Sequence, residues 1–461
     1  MTQEPRMGPR PLPLHLAAAQ VTWRRSALAW RIWKGSSPSW SPPPSAALSL
    51  APELEAVDPD AFAAALERAI AARSNEFLTA ISAYRRHPYK RTLEDPPALW
   101  REGSSRLLDY GASTSDRPPI LLVPSLVNRG YILDLMPGRS FVRWLALEEA
   151  AGGFRPLLLD WGAPGTDERG FTLTDYIAGR LQAALDAVLA ATGQRPLLLG
   201  YCMGGLLTLA LAQQRPADLA GLALLATPWD FHAAPGQAAI GHNALLAWSP
   251  VMELLGELPV DAVQALFAVL DPLTALRKFR QFARLDPASP QAEAFVALED
   301  WLNDGVGLAA PVARECLGGW YAQNATQKGR WRVAGQPVRP EKLELPSLCV
   351  IPATDRIVPP ASARALAAAL PRNEVQEPAA GHIGMMASRR AQREVWPPLA
   401  RWMAAQAIAH KGALRGGSGR SKVTGNAALR RAKPEKDAGK KAGIRPRAAS
   451  ASRKQRRSDP T

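Results

Sequence analysis

Residues 197–214 read LLLGYCMGGLLTLALAQQ. A short apolar run of strand type, Leu197–Leu199, meets the box Gly200-Tyr201-Cys202-Met203-Gly204-Gly205 and passes at once into a helical pattern over 204–214. A strand that turns directly into a helix holds the residue at the turn in a strained backbone conformation, so its neighbours must be small. Gly200 and Gly204 provide that clearance around Cys202. The helix N-terminus lends positive potential, which favours thiolate over thiol. The backbone N–H of Met203 points into the same space and can serve as an oxyanion donor. The competing reading of G-x-C-x-G is a buried structural cysteine beside a packing turn; the flanking strand and helix favour a nucleophile.

Outward from this turn the pattern alternates. Apolar strand-like runs at 120–123, 157–160, 222–225 and 347–351 are separated by helical patterns at about 139–151, 173–192 and 361–370, with a closing helix at 391–407. This βαβα alternation predicts an α/β fold, with a mostly parallel central sheet covered by helices on both faces. A mixed helical region, about 230–340, interrupts the alternation and reads as a cap insertion.

A nucleophile needs a base and a group to orient it. In folds with this turn, acid and then histidine follow on loops after later strands. Strand 347–351 ends in Pro-Ala-Thr-Asp355, and His382 follows 27 residues on, in Gly381-His382-Ile383-Gly384. A strand and a helix fit between them. Cys202, His382 and Asp355 are therefore the candidate nucleophile, base and orienting acid. A turn or helix-cap role for Asp355 and a surface-loop role for His382 are the bland alternatives.

The net charge of +15 is unevenly placed. Residues 411–461 carry 16 Lys or Arg and 3 Asp or Glu, a net of +13, which leaves +2 on the other 410 residues. The high pI thus belongs to a tail and excludes a basic nucleic-acid-binding domain. The tail has no aromatics and is rich in Gly, Ala, Ser and Lys, a composition that predicts disorder over 411–461. It is either a solubilising appendage or an electrostatic, non-specific contact to polyanions. Residues 1–95 read as an N-terminal helical region with a linker at 35–44, and 96–410 as the catalytic domain. The first helix, 13–34, aligns Leu16, Trp23, Ala27, Trp30 and Trp33 on one stripe. It reads as a helix packed on the main domain or as one lying at an apolar–water boundary. Three cysteines without a CxxC pair exclude a disulfide scaffold and make a structural zinc improbable. No run approaches the roughly 20 residues of a membrane span, and no signal peptide is legible, so a cytoplasmic location is expected.

Five segments together resemble the polyhydroxyalkanoate (PHA) synthase family, closest to the class III catalytic subunit. They are VPSLVNRGYILDLMPGRSFVRWLA (123–146), LLLDWGAPGTDERGFTLTDYI (157–177), the GYCMGG box, ATPWDF (226–231), and the pair TDRIVPP and GHIGMM. The likeness spans about 95–405. It implies an α/β-hydrolase fold and an acyltransferase that polymerises 3-hydroxyacyl-CoA through an acyl group on Cys202, with CoA released. His382 would act as base and Asp355 would orient it. The oxyanion donors would be the N–H of Met203 and one near Leu126, with Ser125 or Val127 serving similarly. The resemblance implies no metal and no cofactor beyond the CoA thioester substrate. A PHA granule surface and a partner subunit or second copy are the expected partners. A hydrolase with the same triad, either an acyl-CoA thioesterase or an intracellular PHA depolymerase, is the alternative; it differs in whether water reaches the acyl-enzyme. Cysteine in place of serine favours transfer.

Overall fold

In a computed structural model of the chain, described over residues 6–35, 57–112, 116–147 and 153–417, an eight-stranded sheet forms the centre. Its strands are β1 (Ala98–Glu102), β2 (Ser105–Asp109), β3 (Pro119–Val123), β4 (Arg155–Asp160), β5 (Leu197–Tyr201), β6 (Gly221–Leu225), β7 (Ser347–Val350) and β8 (Asn373–Gln376). Their order is β1-β2-β4-β3-β5-β6-β7-β8. From β4 to β8 every pairing is parallel, while β1–β2 and β2–β4 are antiparallel.

The apolar runs explain the burial. In β3, β5 and β6 every residue is buried, as a parallel sheet covered on both faces requires. Alternate residues feed two separate cores. Leu121, Leu157, Leu159, Leu198 and Leu224 lie in one layer, and Ile120, Leu122, Leu158, Leu199 and Leu225 in the other. Truncating one of these leucines to alanine would cost about 2–5 kcal/mol.

Three strands are not visible in the hydrophobic pattern. β1 and β2 form a short antiparallel hairpin at one edge, and β8, sequence NEVQ, is the other edge. None of the four residues of β8 is buried, so it carries no apolar run. The helical stretch expected at 139–151 begins instead with a two-residue strand, Arg139–Ser140, followed by a helix over Phe141–Leu147; residues 148–151 lie outside the described part. The helical stretch at 173–192 is a π-type turn over Asp175–Leu181 that continues as α-helix Gln182–Thr192.

The region between β6 and β7 is helical. It contains helices Gln237–Leu255, Val260–Leu270, Thr274–Phe282 and Pro290–Asn303, and a π-type turn over Glu315–Ala322. The first helix of the chain, Leu12–Gly35, packs with Pro59–Arg86 and Thr274–Phe282 around a third core that holds Trp23, Phe77, Tyr84 and Phe279. Asp58 caps Pro59–Arg86 by accepting from Ala61 N at 2.8 Å. Trp23 is therefore buried against protein and not at a lipid boundary; the side chains of Trp30 and Trp33 lie outside the described part, as do residues 36–44 of the linker expected at 35–44.

The last helix, Trp396–Gly417, runs past residue 410, where the composition places the start of the tail. The correction has a local cause: Ala, Leu, Lys and Arg in HKGALR are good helix formers that extend a helix already nucleated by its packed first half. The rest of the basic tail, 418–461, lies outside the described residues. Among the described residues no helix is long and apolar enough to cross a membrane.

Candidate active site

Cys202 stands between the end of β5 and the helix Met203–Gln214, with φ +57° and ψ −126°. A positive φ on a residue with a side chain is strained, and here both flanks hold it. Cys202 N donates to Leu225 O of β6 at 2.8 Å, and Cys202 O accepts from Gly205 N at 2.9 Å. The neighbouring glycines are required by close approach. A Cβ on Gly204 would lie 2.1 Å from Val123 O and 2.7 Å from Pro124 O. One on Gly205 would lie 1.9 Å from Thr227 Oγ1, and one on Gly200 2.5 Å from Gly205 Cα. The helix thus packs directly on the carboxyl end of β3, which only glycine permits. Cys202 is half-buried at this turn, above the helix N-terminus.

Asp355 lies in the loop after β7, with its side chain fully buried. Its Oδ1 accepts from Ile357 N at 2.8 Å and Val358 N at 2.9 Å. Its Oδ2 faces Nδ1 of His382 at 2.7 Å. A carboxylate accepts only, so Nδ1 carries the proton and Nε2 is left for other partners. His382 follows β8 and is itself 7% exposed. Tyr201, next to Cys202, donates through its hydroxyl to His382 O at 3.0 Å, and the two rings lie 5.3 Å apart.

Burial pushes the His382 imidazole down. It is outweighed by the charge of Cys202, by the hydrogen bond to Asp355 and by one to Cys202, so the group rises from 6.5 to about 10. An imidazole held this way, between Cys202 and Asp355, is a poised acid–base group. The other two thiols differ. Cys316 and Cys349 are buried, and desolvation raises both, Cys349 to about 12. Of the three cysteines, Cys202 alone contacts a base.

The loop after β3 faces Cys202 from the other side. Trp161 donates from its indole N–H to Pro124 O at 3.0 Å, and Val127 N donates to Ser125 Oγ at 3.2 Å. The Val127 N–H therefore already has a partner. No hydrogen bond within the chain is recorded for the N–H of Leu126 or Met203 among the described residues, which leaves both free to donate. Ser125 and Val127 line the cavity beside Cys202 together with Met203.

Two cavities meet at Cys202. One, of about 130 Å³, is apolar and lined by Phe231, Leu266, Cys316, Trp320, Tyr321 and others from the inserted helices. The second is lined by both Cys202 and His382, together with Asn128, Arg129 and Gln264.

The residues expected as nucleophile, base and acid thus come together in space. Ser125 was among the expected oxyanion donors, whereas Tyr201 was not picked out individually by the sequence pattern. Tyr201 carries a legible signal: a tyrosine inside an otherwise apolar buried strand needs a partner for its hydroxyl. The apolar pocket residues come from the inserted helices, whose spacing marks only core.

The α/β-hydrolase-fold family matches residues 118–387. The poly(3-hydroxyalkanoate) polymerase subunit PhaC of Haloferax mediterranei is 33% identical over 314 residues, which is 66% of this chain and 63% of that relative. The PhaC subunit of a Synechocystis strain is 32% identical over 62% of this chain and 77% of its own length. The PhaC subunit of Allochromatium vinosum is 29% identical over 64% of this chain and 82% of its own. The chain thus spans less than two thirds of the Haloferax relative and more than three quarters of the other two.

Proposed function

Because the chain belongs to the poly(3-hydroxyalkanoate) polymerase family within the α/β-hydrolase fold, we propose that it is an acyltransferase that joins 3-hydroxyacyl units from CoA thioesters into a polyester. The observation that carries this reading is the array Cys202–His382–Asp355 set where two cavities meet at Cys202, one of them an apolar pocket walled by the inserted helices.

The thiolate of Cys202 attacks the thioester carbonyl. The carbonyl oxygen becomes an oxyanion held by the N–H of Met203 and that of Leu126; one such donor is worth about 3 kcal/mol of barrier. The C–S bond to CoA breaks, and the departing sulfur takes the proton of His382. In the second half-reaction the hydroxyl of another hydroxyacyl unit gives its proton to His382 and attacks the acyl carbon, and Cys202 leaves as thiolate. The attacking thiolate of Cys202 and the departing thiolate of CoA have similar basicity, so the first step is near thermoneutral. Asp355 fixes the tautomer and stabilises the imidazolium throughout. The apolar cavity suits the acyl group, since its walls offer few polar groups and exclude water, which favours transfer over hydrolysis. A PHA granule surface, a partner subunit or second copy, and polyanion contact through the basic tail belong to the same proposal.

The test is purified protein with 3-hydroxybutyryl-CoA, following CoA release and the product. Polymer supports the reading. Free 3-hydroxybutyrate in its place would make the protein a thioesterase with the same triad.

A further inference from the structure

Residues 6–11 lie outside the region that matches the family and have no regular secondary structure. Side-chain bonds hold them. The Arg6 guanidinium donates to His87 O and Tyr89 O, lies over the Tyr84 ring and pairs with Asp300 at 2.7 Å. Arg85 donates to Met7 O at 3.3 Å. Gly8 and Pro9 are buried, and a Cβ on Gly8 would meet the Asn303 side chain at 2.1 Å. Arg10 N donates to Asn303 Oδ1 at 2.9 Å, and Arg10 Nε pairs with Asp261 at 2.7 Å. Arg10 O accepts from His15 Nε2 at 3.1 Å. This short segment thus bridges three helices, Pro59–Arg86, Pro290–Asn303 and Val260–Leu270.

The last of these helices stands over the reacting cysteine. Val263, Leu266, Phe267 and Leu270 line the apolar cavity beside Cys202, and Gln264 and Phe267 line the second. Yet only Ala262 and Val263 of its 11 residues are buried, and its N-cap, Pro259, makes no side-chain cap bond. A helix with so little buried apolar surface has little to oppose local opening. Polar bonds fasten it instead. Gln264 Nε2 donates to Leu302 O at 3.1 Å, Asp271 beyond its last turn pairs with Arg277 and with Arg356 at 3.1 Å, and Arg10 holds Asp261 in its first turn. The two ends of the N-terminal bridge differ in exposure. The Arg6 side chain is 10% exposed and that of Asp261 is 53% exposed. The first end is a fixed anchor, and the second is a bond that salt can screen.

We propose that residues 6–11 are a strap that sets helix Val260–Leu270 over the catalytic cavities, with Arg10 as the positioning residue, and that the strap thereby sets how long an acyl group the apolar cavity admits. The consequence for the acyl group rests on the acyltransfer reading; the mechanical link does not. When Arg10 lets go of Asp261, the first turn of the helix loses its tie to Asn303 on the neighbouring helix. The walls at Val263 and Leu266 are then free to move away from Cys202, and the cavity widens. Pro9 and Arg10 also wall a third cavity, of about 370 Å³, that His382 lines, so the strap borders the space at the base as well.

The experiment uses the full chain as wild type, Arg10→Gln, Asp261→Asn, the double variant and Arg10→Lys. Both side chains are partly exposed, so the core stays intact. Hydrogen exchange over 260–270, read by mass spectrometry, should be faster by up to about fivefold in each single variant, the upper range for an exposed ion pair. The double variant should match the singles, because each removes the same bridge, and Arg10→Lys should stay near wild type. In wild type the same amides should exchange faster toward about 1 M salt, where the Debye length falls to about 3 Å, and the single variants should not respond. In parallel, CoA release is compared for 3-hydroxybutyryl-CoA and 3-hydroxyhexanoyl-CoA. The ratio of kcat/KM for the longer to the shorter acyl group should rise by up to about fivefold in Arg10→Gln and Asp261→Asn. If neither thioester is turned over, the acyltransfer reading fails and exchange alone decides the strap. Unchanged exchange over 260–270, or equal acceleration in helix Gln237–Leu255, which carries none of the strap's bonds, overturns the strap. Faster exchange with an unaltered ratio overturns its control of the acyl group.

Discussion

Asp355 gives His382 only one of its two oxygens. Oδ2 meets Nδ1 at 2.7 Å, while Oδ1 is held by the backbone N–H groups of Ile357 and Val358 at 2.8 and 2.9 Å. The carboxylate cannot rotate without losing two hydrogen bonds, so the imidazole is fixed in direction as well as in tautomer. In Asp355→Asn the carbonyl oxygen keeps the two N–H groups and the amide NH₂ faces Nδ1. That forces the proton onto Nε2, the nitrogen that must accept from Cys202. CoA release should fall by about 10³–10⁴-fold with little change in melting temperature. A loss under tenfold would mean that His382 does not act as the base.

Cys202 should be separable from folding. Its φ of +57° is strained for any residue with a Cβ. Cys202→Ala keeps the strain and Cys202→Gly relieves it, at some cost in chain entropy. Both should lack detectable acyl-enzyme by mass spectrometry, and the glycine variant should be the more stable of the two by about 1 kcal/mol in denaturant titration. In wild type, brief iodoacetamide treatment should label Cys202 and spare Cys316 and Cys349, whose thiols burial has pushed up.

The glycines of the turn offer a contrast in cost. Gly204→Ala places a Cβ 2.1 Å from the carbonyl oxygen of Val123, and neither backbone can give way, because β3 is central in the sheet. It should destabilise by about 3 kcal/mol. Gly179→Ala, at an exposed position of the turn Asp175–Leu181, meets nothing within 4 Å and should be neutral or stabilising by up to about 1 kcal/mol. Equal melting temperatures in the two variants would contradict the close approach of helix to strand.

Much of this architecture could be read in the residues, and the reasons are specific. LLLGYCMGG encodes a buried strand, a strained turn and a helix in nine residues, because each step there depends on residue type: apolar run, small flank, helix former. Asp355 and His382 were legible because a strand and a helix separate them. The edge strands were not, because NEVQ is unburied and SRLLD is as compatible with a turn as with a strand. The π-type turns at 175–181 and 315–322 keep helical periodicity approximately and so hide in a helix pattern. Least legible was the cavity of about 370 Å³ that His382 also lines. Arg10, His15, Lys278 and Glu299 come from segments more than 250 residues apart, and nothing in their local spacing ties them together.

The protonation of His382 provides the last test. Burial alone would lower it; Cys202 and Asp355 raise it to about 10. The sign of the linkage follows. A histidine that holds its proton more tightly folded than unfolded contributes stability in full below its ordinary value of about 6.5, and that contribution is lost as pH climbs from there to about 10. At pH 8, where a free imidazole is neutral, His382 should therefore still be charged. Histidine-selective NMR on the wild type should show one imidazole with both ring N–H groups at pH 8. Cys202→Ala removes the charge that most raises His382 and leaves the burial that lowers it. In that variant the same resonance should lose its second proton at a clearly lower pH. If the imidazole titrates at the same pH in both proteins, the charge on His382 does not come from Cys202, and the thiolate–imidazolium pair on which the acylation step depends is not formed.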